Sequence, residues 1–206
     1  MKVLIACEFS GVVREAFRSR GHDVWSCDLL PTEISSPYHF QTDVRNILGN
    51  DWDLLIAHPP CTHLAVSGAH RFKFKQKEQE ESLAFIRLLL NAPIARIALE
   101  NPVGIISTRI RKPDQIIQPY EYGEDASKRT CLWLKNLPPL VPTRMVAPRE
   151  VNGRKLWANQ TPSGQNKLGP SPDRWKLRSK TYQGIADAMA TQWGDPKHLD
   201  EVGACL

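Results

Sequence analysis

The segment Pro59-Pro60-Cys61 places a candidate nucleophile directly after a predicted strand. The preceding run, Asp53 to His58, is mostly apolar, which is typical of a buried strand in a parallel sheet. The two prolines end that strand because they fix φ and lack backbone donors. A thiol attacks electrophiles once it is ionised, and open α/β sheets bind ligands at the carboxyl ends of their strands. The competing interpretation is a half-buried, inert cysteine in a turn.

Glu100-Asn101-Pro102 follows the next predicted buried strand, Ala95 to Leu99. If the two strands are neighbours, the Glu100 carboxyl group shares a sheet edge with Cys61. A thiolate and a carboxylic acid together suit nucleophilic addition to an electron-poor ring. The thiolate attacks, and the acid hydrogen-bonds to or protonates the ring nitrogen that gains charge. The alternative for Glu100 is a carboxylate at a solvent-facing strand end.

The first predicted βα turn, Cys7 to Gly11, has one glycine and lacks the GxGxxG pattern of a pyrophosphate site. Asp28 ends the second predicted strand, about 20 residues past the turn, where a carboxylate accepts hydrogen bonds from ribose. Asp43 precedes a short helix and is placed to bind an exocyclic amine. Each aspartate alone is also compatible with a helix cap or a turn. Together with the turn they describe a nucleoside pocket.

The elements that position these residues alternate in the first half of the chain. Apolar runs and helical spacing predict the order strand, helix, strand, short helix, strand, helix, strand. The segments are Lys2 to Cys7, a helix with Ser10 as its N-cap that ends near Gly21, His22 to Cys27, Val44 to Leu48, Asp53 to His58, Gln76 to Asn91 and Ala95 to Leu99. This order predicts a parallel sheet covered on both faces. Prolines interrupt the pattern after about Arg109. A strand at Thr130 to Leu134 and a helix at Tyr182 to Trp193 are predicted beyond it.

Positive charge is concentrated in one stretch. The chain carries 27 Lys and Arg against 22 Asp and Glu, a net charge of +5. Nine of the basic side chains lie between Thr143 and Lys180, against two acidic ones. Such a patch fits a polyanionic partner such as nucleic acid, and the alternative is a solvated surface loop.

The five cysteines are scattered and show no CxxC spacing, so neither a disulfide framework nor a metal site is predicted. A reducing cytoplasm is the expected location. No apolar run reaches the roughly 18 residues that cross a membrane.

In order and spacing, these residues resemble the cytosine-C5 DNA methyltransferases. The resemblance rests on Pro59-Pro60-Cys61 followed by Ser67-Gly68, on Glu100-Asn101 and on the Phe9-Ser10-Gly11 turn. It covers roughly Lys2 to Thr108 and is thinner at Lys128-Arg129-Thr130 and at Tyr182 to Ala190. It implies a doubly wound, mostly parallel Rossmann-like methyltransferase sheet with a small irregular C-terminal appendage. It also implies S-adenosyl-L-methionine as the methyl donor.

The resemblance assigns roles to single residues. Cys61 would attack C6 of cytosine while Glu100 engages N3, which makes C5 nucleophilic toward the methyl group. Loss of the C5 proton then expels Cys61. Asn101 would support the Cys61 loop, and Arg129 would lie near the target base. The cofactor-binding residues implied are Phe9, Ser10, Gly11, Asp28, Leu29, Asp43, Pro59 and Gln183.

DNA is the implied substrate, with the target base flipped out of the duplex. Residues 62–77 would form a basic loop that closes over that base. The predicted DNA contacts are Arg71, Lys73, Lys75, Arg154, Lys155 and Arg174. Residues 1–142 would be the catalytic core. Residues 143–180 would form a small basic subdomain in place of a full target-recognition domain. Residues 181–206 would comprise a helix that completes the cofactor pocket, followed by a tail. So small a subdomain predicts low or short sequence specificity, or a partner protein that supplies target recognition. The resemblance implies a monomer of phage type that acts in a bacterial or phage-infected cell.

Two alternatives stay open. One keeps the chemistry but acts on a free cytidine nucleotide or on RNA. The other is a non-catalytic DNA-binding protein that retains the fold. An NAD-dependent enzyme is disfavoured by the missing GxGxxG pattern.

Overall fold

The computed structural model describes residues 1–195, and the backbone alone at positions 69–71 and 73. Cys205 lies outside the described residues.

Nine strands and five α-helices are found in this part of the chain. The strands are β1 Lys2–Ala6, β2 Asp23–Asp28, β3 His39–Gln41, β4 Leu54–Ala57, β5 Arg96–Pro102, β6 Gln115–Ile117, β7 Thr130–Lys135, β8 Arg149–Val151 and β9 Arg154–Leu156. The α-helices are α1 Val12–Arg18, α2 Gln76–Leu90, α3 Ile106–Arg109, α4 Arg174–Ser179 and α5 Gln183–Gln192. Shorter 3₁₀ helices span Val44–Asn46, Val66–Phe74 and Pro119–Glu121.

The main sheet has seven strands in the order β3-β2-β1-β4-β5-β7-β6. The strands from β3 to β5 pair in parallel, and β7 runs antiparallel to both β5 and β6. The predicted fold class, a doubly wound and mostly parallel α/β sheet with a small irregular C-terminal appendage, is confirmed. The strands that carry Cys61 and Glu100 are neighbours, because β4 pairs directly with β5.

Both faces of the sheet are covered by helices. Alternate residues of β1 point to opposite faces: Val3 and Ile5 join the cluster beneath α1 and α5, and Leu4 joins the cluster beneath α2. These three side chains are fully buried. Each such aliphatic side chain contributes about 1.5–3 kcal/mol through burial. A central strand buried on both faces is therefore held firmly, and the loops at its carboxyl end start from a fixed base.

Helix α1 begins one residue later than predicted. Its N-cap is Gly11, not Ser10, and Gly11 has a φ of 77°. Glycine suits this left-handed conformation, and a side chain here would meet the Arg14 guanidinium at 2.7 Å. The capping carboxylate comes instead from Glu8, whose oxygens accept from the backbone N–H of Val13 at 2.7 Å and of Arg14 at 3.2 Å.

Strand β5 continues three residues past its predicted end at Leu99. Glu100, Asn101 and Pro102 stay extended because they pair with Leu132, Cys131 and Thr130 of β7. The candidate acid therefore belongs to the sheet itself. No helix within residues 1–195 is long and apolar enough to cross a membrane.

Candidate active site

The order of the main strands reverses between β1 and β4. Ligands of open α/β sheets bind outside the carboxyl ends of the strands at such a switch point. Here β1 leads into the turn from Cys7 to Ser10, and β4 leads into His58 and the Cys61 loop. A small cavity of about 30 Å³ lies at this point. Its lining residues are Cys7, Glu8, Phe9, Ser10, His58, Ser179, Lys180 and Thr181.

The Cys61 loop is fixed from the side of β5. The side-chain amide of Asn101, 2% exposed, donates to the Pro59 carbonyl at 2.8 Å. Downstream, the N–H of Ile105 donates to the Leu64 carbonyl at 2.9 Å. The two segments can lie this close only with glycine at position 104, because a side chain there would come within 2.2 Å of the Leu64 oxygen.

Cys61 itself is an exposed free cysteine. Although the residue is exposed, the protein around its sulfur removes part of the surrounding water, and this partial burial raises the pKa of the thiol. The Lys128 ammonium group acts in the opposite direction, while the Glu100 carboxylate adds to the increase. The net pKa lies above its ordinary value, so the resting thiol is protonated near neutral pH.

Glu100 forms a buried pair with His58. The imidazole Nδ1 donates to Oε2 of Glu100 at 2.7 Å, and the two side chains are 9% and 12% exposed. Burial raises the pKa of Glu100, but the hydrogen bond from His58 and the charge of Lys128 lower it below its usual value. Burial lowers the pKa of His58, but Glu100 and Glu8 raise it above its ordinary value. Both shifts in pKa favour the form of the pair in which His58 is an imidazolium and Glu100 a carboxylate.

Glu8 is a buried carboxyl group on the other side of His58. It is 5% exposed and bonded to the first N–H groups of α1. Burial raises its pKa, and the charge of His58 opposes that increase. Neither Glu8 nor His58 was singled out by the sequence analysis. The sequence did contain a signal for both residues, because each is a polar or charged side chain at the end of an apolar run.

Lys128 is the cation whose charge acts on both Cys61 and Glu100. Its ammonium group donates to the Arg178 carbonyl at 3.0 Å. Arg129, the residue that the resemblance assigns near the base, is exposed, and its charge acts on Cys131. Adjacent residues of an extended chain point to opposite sides. Lys128 therefore faces the site, and Arg129 does not.

Four of the eight predicted cofactor residues lie in the turn after β1 or near the ends of β2 and β3. Phe9 and Ser10 are buried and line the cavity. The two aspartates make local turn and cap bonds: Asp28 accepts from the Leu30 N–H at 2.9 Å, and Asp43 accepts from the Arg45 N–H at 3.0 Å. A carboxylate that accepts one bond retains further lone pairs for a ligand.

Three further predicted cofactor residues differ in environment. Pro59 is buried under the Cys61 loop, and Leu29 is 70% exposed. Gln183 is exposed at the start of α5 and donates to Asp187 at 3.2 Å. The neighbouring Thr181 lines the cavity.

Cys7 also lines the cavity and has an unusual backbone. Its φ of 58° is in the left-handed region, which non-glycine residues rarely adopt. Burial, followed by the charges of Asp28, Cys27 and Asp43, raises the pKa of its thiol far above the ordinary value. Strain of this kind is found where surrounding structure holds a site rigid.

A basic segment, residues 174–180, lies over the carboxyl edge of the sheet. Trp175 packs against Phe9 with ring centroids 5.9 Å apart. The Lys180 ammonium group pairs with Glu33 at 2.6 Å. The segment is thus attached to the turn that follows β1 and to the loop between β2 and β3, and its end forms one wall of the cavity.

The predicted DNA contacts lie in two regions. Arg154 and Lys155 are exposed on the β8–β9 hairpin, and Arg174 begins α4. Lys75, partly exposed, follows the 3₁₀ helix Val66–Phe74. The side chains of Arg71 and Lys73 in that helix lie outside the described part of the chain.

Within residues 1–195, no group of three or more histidine, cysteine or acidic side chains could hold a metal ion.

Comparisons with known proteins give a fold likeness only. No protein-family model matches the chain, and no curated protein matches it. A solved structure with a similar fold is described, provisionally, as a DNA modification methyltransferase encoded within a prophage (E. coli). It is 17% identical, with a TM-score of 0.47, over 70% of this chain and 51% of that one. The chain thus spans about half the length of that structure.

Proposed function

We propose that this protein transfers a methyl group from S-adenosyl-L-methionine to C5 of cytosine in DNA. The observation that carries the proposal is the pairing of β4 with β5 beside the switch-point cavity. Because β4 pairs with β5, Cys61, Glu100 and Asn101 lie at the same carboxyl edge of the sheet. The switch-point cavity lies at this edge too, between β4 and β1. The resemblance to the cytosine-C5 DNA methyltransferases, carried by these same residues, gives the reaction.

Cys61 acts as the nucleophile in this reaction. Its sulfur forms a bond to C6 of the ring, and the electron pair of the C5–C6 double bond moves toward N3. A hydrogen bond or proton from Glu100 stabilises the charge at N3, and C5 becomes nucleophilic. After methyl transfer, a base removes the C5 proton, the double bond re-forms and the bond from sulfur to C6 breaks. Cys61 is then free for another cycle.

The residues around the switch point fit a nucleoside-containing sulfonium cofactor. Phe9 and Ser10 supply one wall, and the Asp28 carboxylate retains acceptor capacity for ribose hydroxyls. His58 Nε2 is buried and finds no hydrogen-bond partner among the described residues. When bound, the cofactor supplies an electrophilic methyl group.

Two basic regions would hold the nucleic acid in this proposal. Residues 1–142 form the catalytic core, residues 143–180 supply phosphate contacts, and the helix that follows residue 181 completes the cofactor pocket. The tail that ends the predicted third region lies outside the described residues. The target ring is inaccessible within a duplex, so the base is flipped at a cost of a few kcal/mol. Phosphate contacts fix position but do not read sequence, and a region of this size offers few side chains for base edges. We therefore expect short or relaxed sequence specificity.

The test is nucleoside mass spectrometry of DNA after incubation with the protein and S-adenosyl-L-methionine. We expect 5-methylcytosine with the wild-type protein and none with Cys61→Ser, because the weaker hydroxyl nucleophile cannot form the adduct at a useful rate. Cys131→Ser, at a buried cysteine of β7, is the matched control and should retain methyl transfer. Methyl transfer that survives Cys61→Ser would exclude the covalent mechanism, and methylation of another atom would exclude the C5 assignment.

A further inference from the structure

His58 lies between two buried carboxyl groups from different strands. Its Nδ1 donates to Glu100 at 2.7 Å, and Glu8 acts on it electrostatically from the turn after β1. The His58 side chain is 9% exposed, and its Nε2 is a buried polar atom without a partner among the described residues. The imidazole thus satisfies the Glu100 carboxylate through one nitrogen, while its other nitrogen is buried without a partner.

We propose that His58 stores the proton that Glu100 delivers to N3 of the target cytosine. This inference rests on the proposed function and extends it to a residue that acts through Glu100. His58 is a positioning residue in that sense, because it bonds to the acid and not to the base.

The pairing explains how a carboxyl group with a lowered pKa still serves as an acid. Glu100 alone, as a carboxylate, accepts hydrogen bonds and has no proton to donate. The imidazolium of His58 keeps one transferable proton at 2.7 Å from that carboxylate. The raised pKa of His58 brings this proton closer to the working pH range, which favours efficient general acid catalysis.

The proton moves from Nδ1 of His58 to a carboxylate oxygen of Glu100 and then to N3 of the cytosine. The Nδ1–H bond of His58 breaks and an O–H bond forms on Glu100, which leaves His58 neutral with its other proton on Nε2. The carboxyl group then gives its proton to N3 as the Cys61 sulfur bonds to C6, and Glu100 is again a carboxylate. When the ring is released the proton returns from N3 through Glu100 to His58. No net proton is consumed by the pair.

Charged groups face His58 from three other elements. Glu8 follows β1, Glu100 belongs to β5 and Lys128 precedes β7. The two carboxylates favour the imidazolium form, and Lys128 opposes them. Lys180 also lines the cavity, but Glu33 pairs with its charge.

The test compares the wild-type protein with His58→Asn over about pH 5 to about pH 9, in single turnovers on DNA. Asparagine retains an N–H donor for Glu100 but has no proton to release. In the wild type the stored proton is present below the folded-state pKa of His58, which lies above the ordinary 6.5, and is lost as pH rises through it. In the variant the proton must come from Glu100 itself. As the pH is raised, its activity therefore falls at a lower pH than that of the wild type. We expect a deficit of about 100-fold or more near pH 7.5 that shrinks toward low pH.

The ratio of the two rates is the quantity to compare, since ionisation of Cys61 affects both proteins alike. His22→Asn is the matched control, because His22 packs against Phe17, away from the cavity. Circular dichroism and DNA affinity of the variants should match the wild type. A merely structural role for His58 gives a ratio that does not change with pH, and that result overturns the inference while leaving the proposed function intact.

A second measurement does not depend on activity. Nuclear magnetic resonance titration of the His58 ring should give a pKa above 6.5 in the wild type and a clearly lower one in Glu100→Gln, where burial acts without the carboxylate. An unchanged titration in Glu100→Gln would overturn the inference. A wild-type protein that methylates nothing would instead refute the proposed function.

Discussion

Asn101 joins the two strand ends that carry the candidate chemistry. Its amide donates to the Pro59 carbonyl across β4 and β5, and the residue is 2% exposed. The bond determines where Cys61 stands relative to Glu100. A buried carbonyl that loses such a partner costs about 1–3 kcal/mol in the free energy of unfolding.

Asn101→Ala should therefore reduce the rate of methyl transfer more than the affinity for DNA. We expect a loss of about 10- to 100-fold in kcat, because small displacements of a reacting group are this costly, with a change in Kd for DNA of less than about threefold. Single-turnover rates and fluorescence anisotropy measure the two quantities. The control is Asn46→Ala, an exposed asparagine that bonds to Thr42. Equal losses in both quantities would show that Asn101 serves folding and not the position of Cys61.

Individual residues differed in how well the sequence predicted them. Cys61 and Glu100 were predicted as site residues because cysteine and glutamate can act as a nucleophile and an acid, and each follows an apolar run. The partnership of Glu100 with His58 was missed, because it depends on the parallel register that sets Ala57 beside Leu99. Lys128 was missed for a similar reason: the sequence alone does not tell which of two adjacent basic residues faces inward.

At the scale of elements, long apolar segments were predictable and short edge strands were not. β1, β2, β4 and α2 were predicted close to their observed bounds, because each has a clear apolar pattern over several residues. Strands β3, β6, β8 and β9 have only three residues each, and so short a pattern carries little signal. The position of α4 over the cavity could not be predicted either, since it arises from contacts with Phe9 and Glu33 that are distant in sequence.

The basic segment 174–180 narrows the cavity at the switch point in this arrangement. The cavity is about 30 Å³, far below the roughly 300–1,000 Å³ of most ligand pockets. On the proposed function, the segment must therefore move aside before a complete cofactor enters. The ion pair of Lys180 with Glu33 is one of the contacts that hold it.

Glu33→Gln should loosen that contact and speed association of the cofactor. The pair is more than a third exposed, so the equilibrium effect is below about 1 kcal/mol, and we expect the association rate to rise about two- to fivefold. Stopped-flow fluorescence of Trp175 reports the movement, and hydrogen exchange of residues 174–181 should become faster. Glu80→Gln removes an exposed ion pair with Arg109 and is the matched control. Unchanged association and exchange would mean that the segment does not gate the cavity.

At the scale of the whole molecule, basic residues crowd one part of an otherwise balanced chain. Nine Lys and Arg lie between Thr143 and Lys180, and the β8–β9 hairpin exposes Arg154 and Lys155. Segment 174–180 links this region to the cavity. Within that segment, the charge of Arg178 acts on Cys61, so part of the basic stretch lies close to the candidate nucleophile.

Affinity for long duplex DNA should fall steeply with salt, because each phosphate neutralised adds about 0.9 to the slope of log K against log salt concentration. The double variant Arg154→Ala and Lys155→Ala should reduce that slope by about 1–2 and weaken binding to all sequences alike. Arg87→Ala, at an exposed basic residue in the last turn of α2, is the control and should leave the slope unchanged. A slope near zero in the wild type would point instead to a free cytidine nucleotide as substrate, since so small a ligand contacts few basic residues. A steep slope without methyl transfer would favour the non-catalytic DNA-binding alternative.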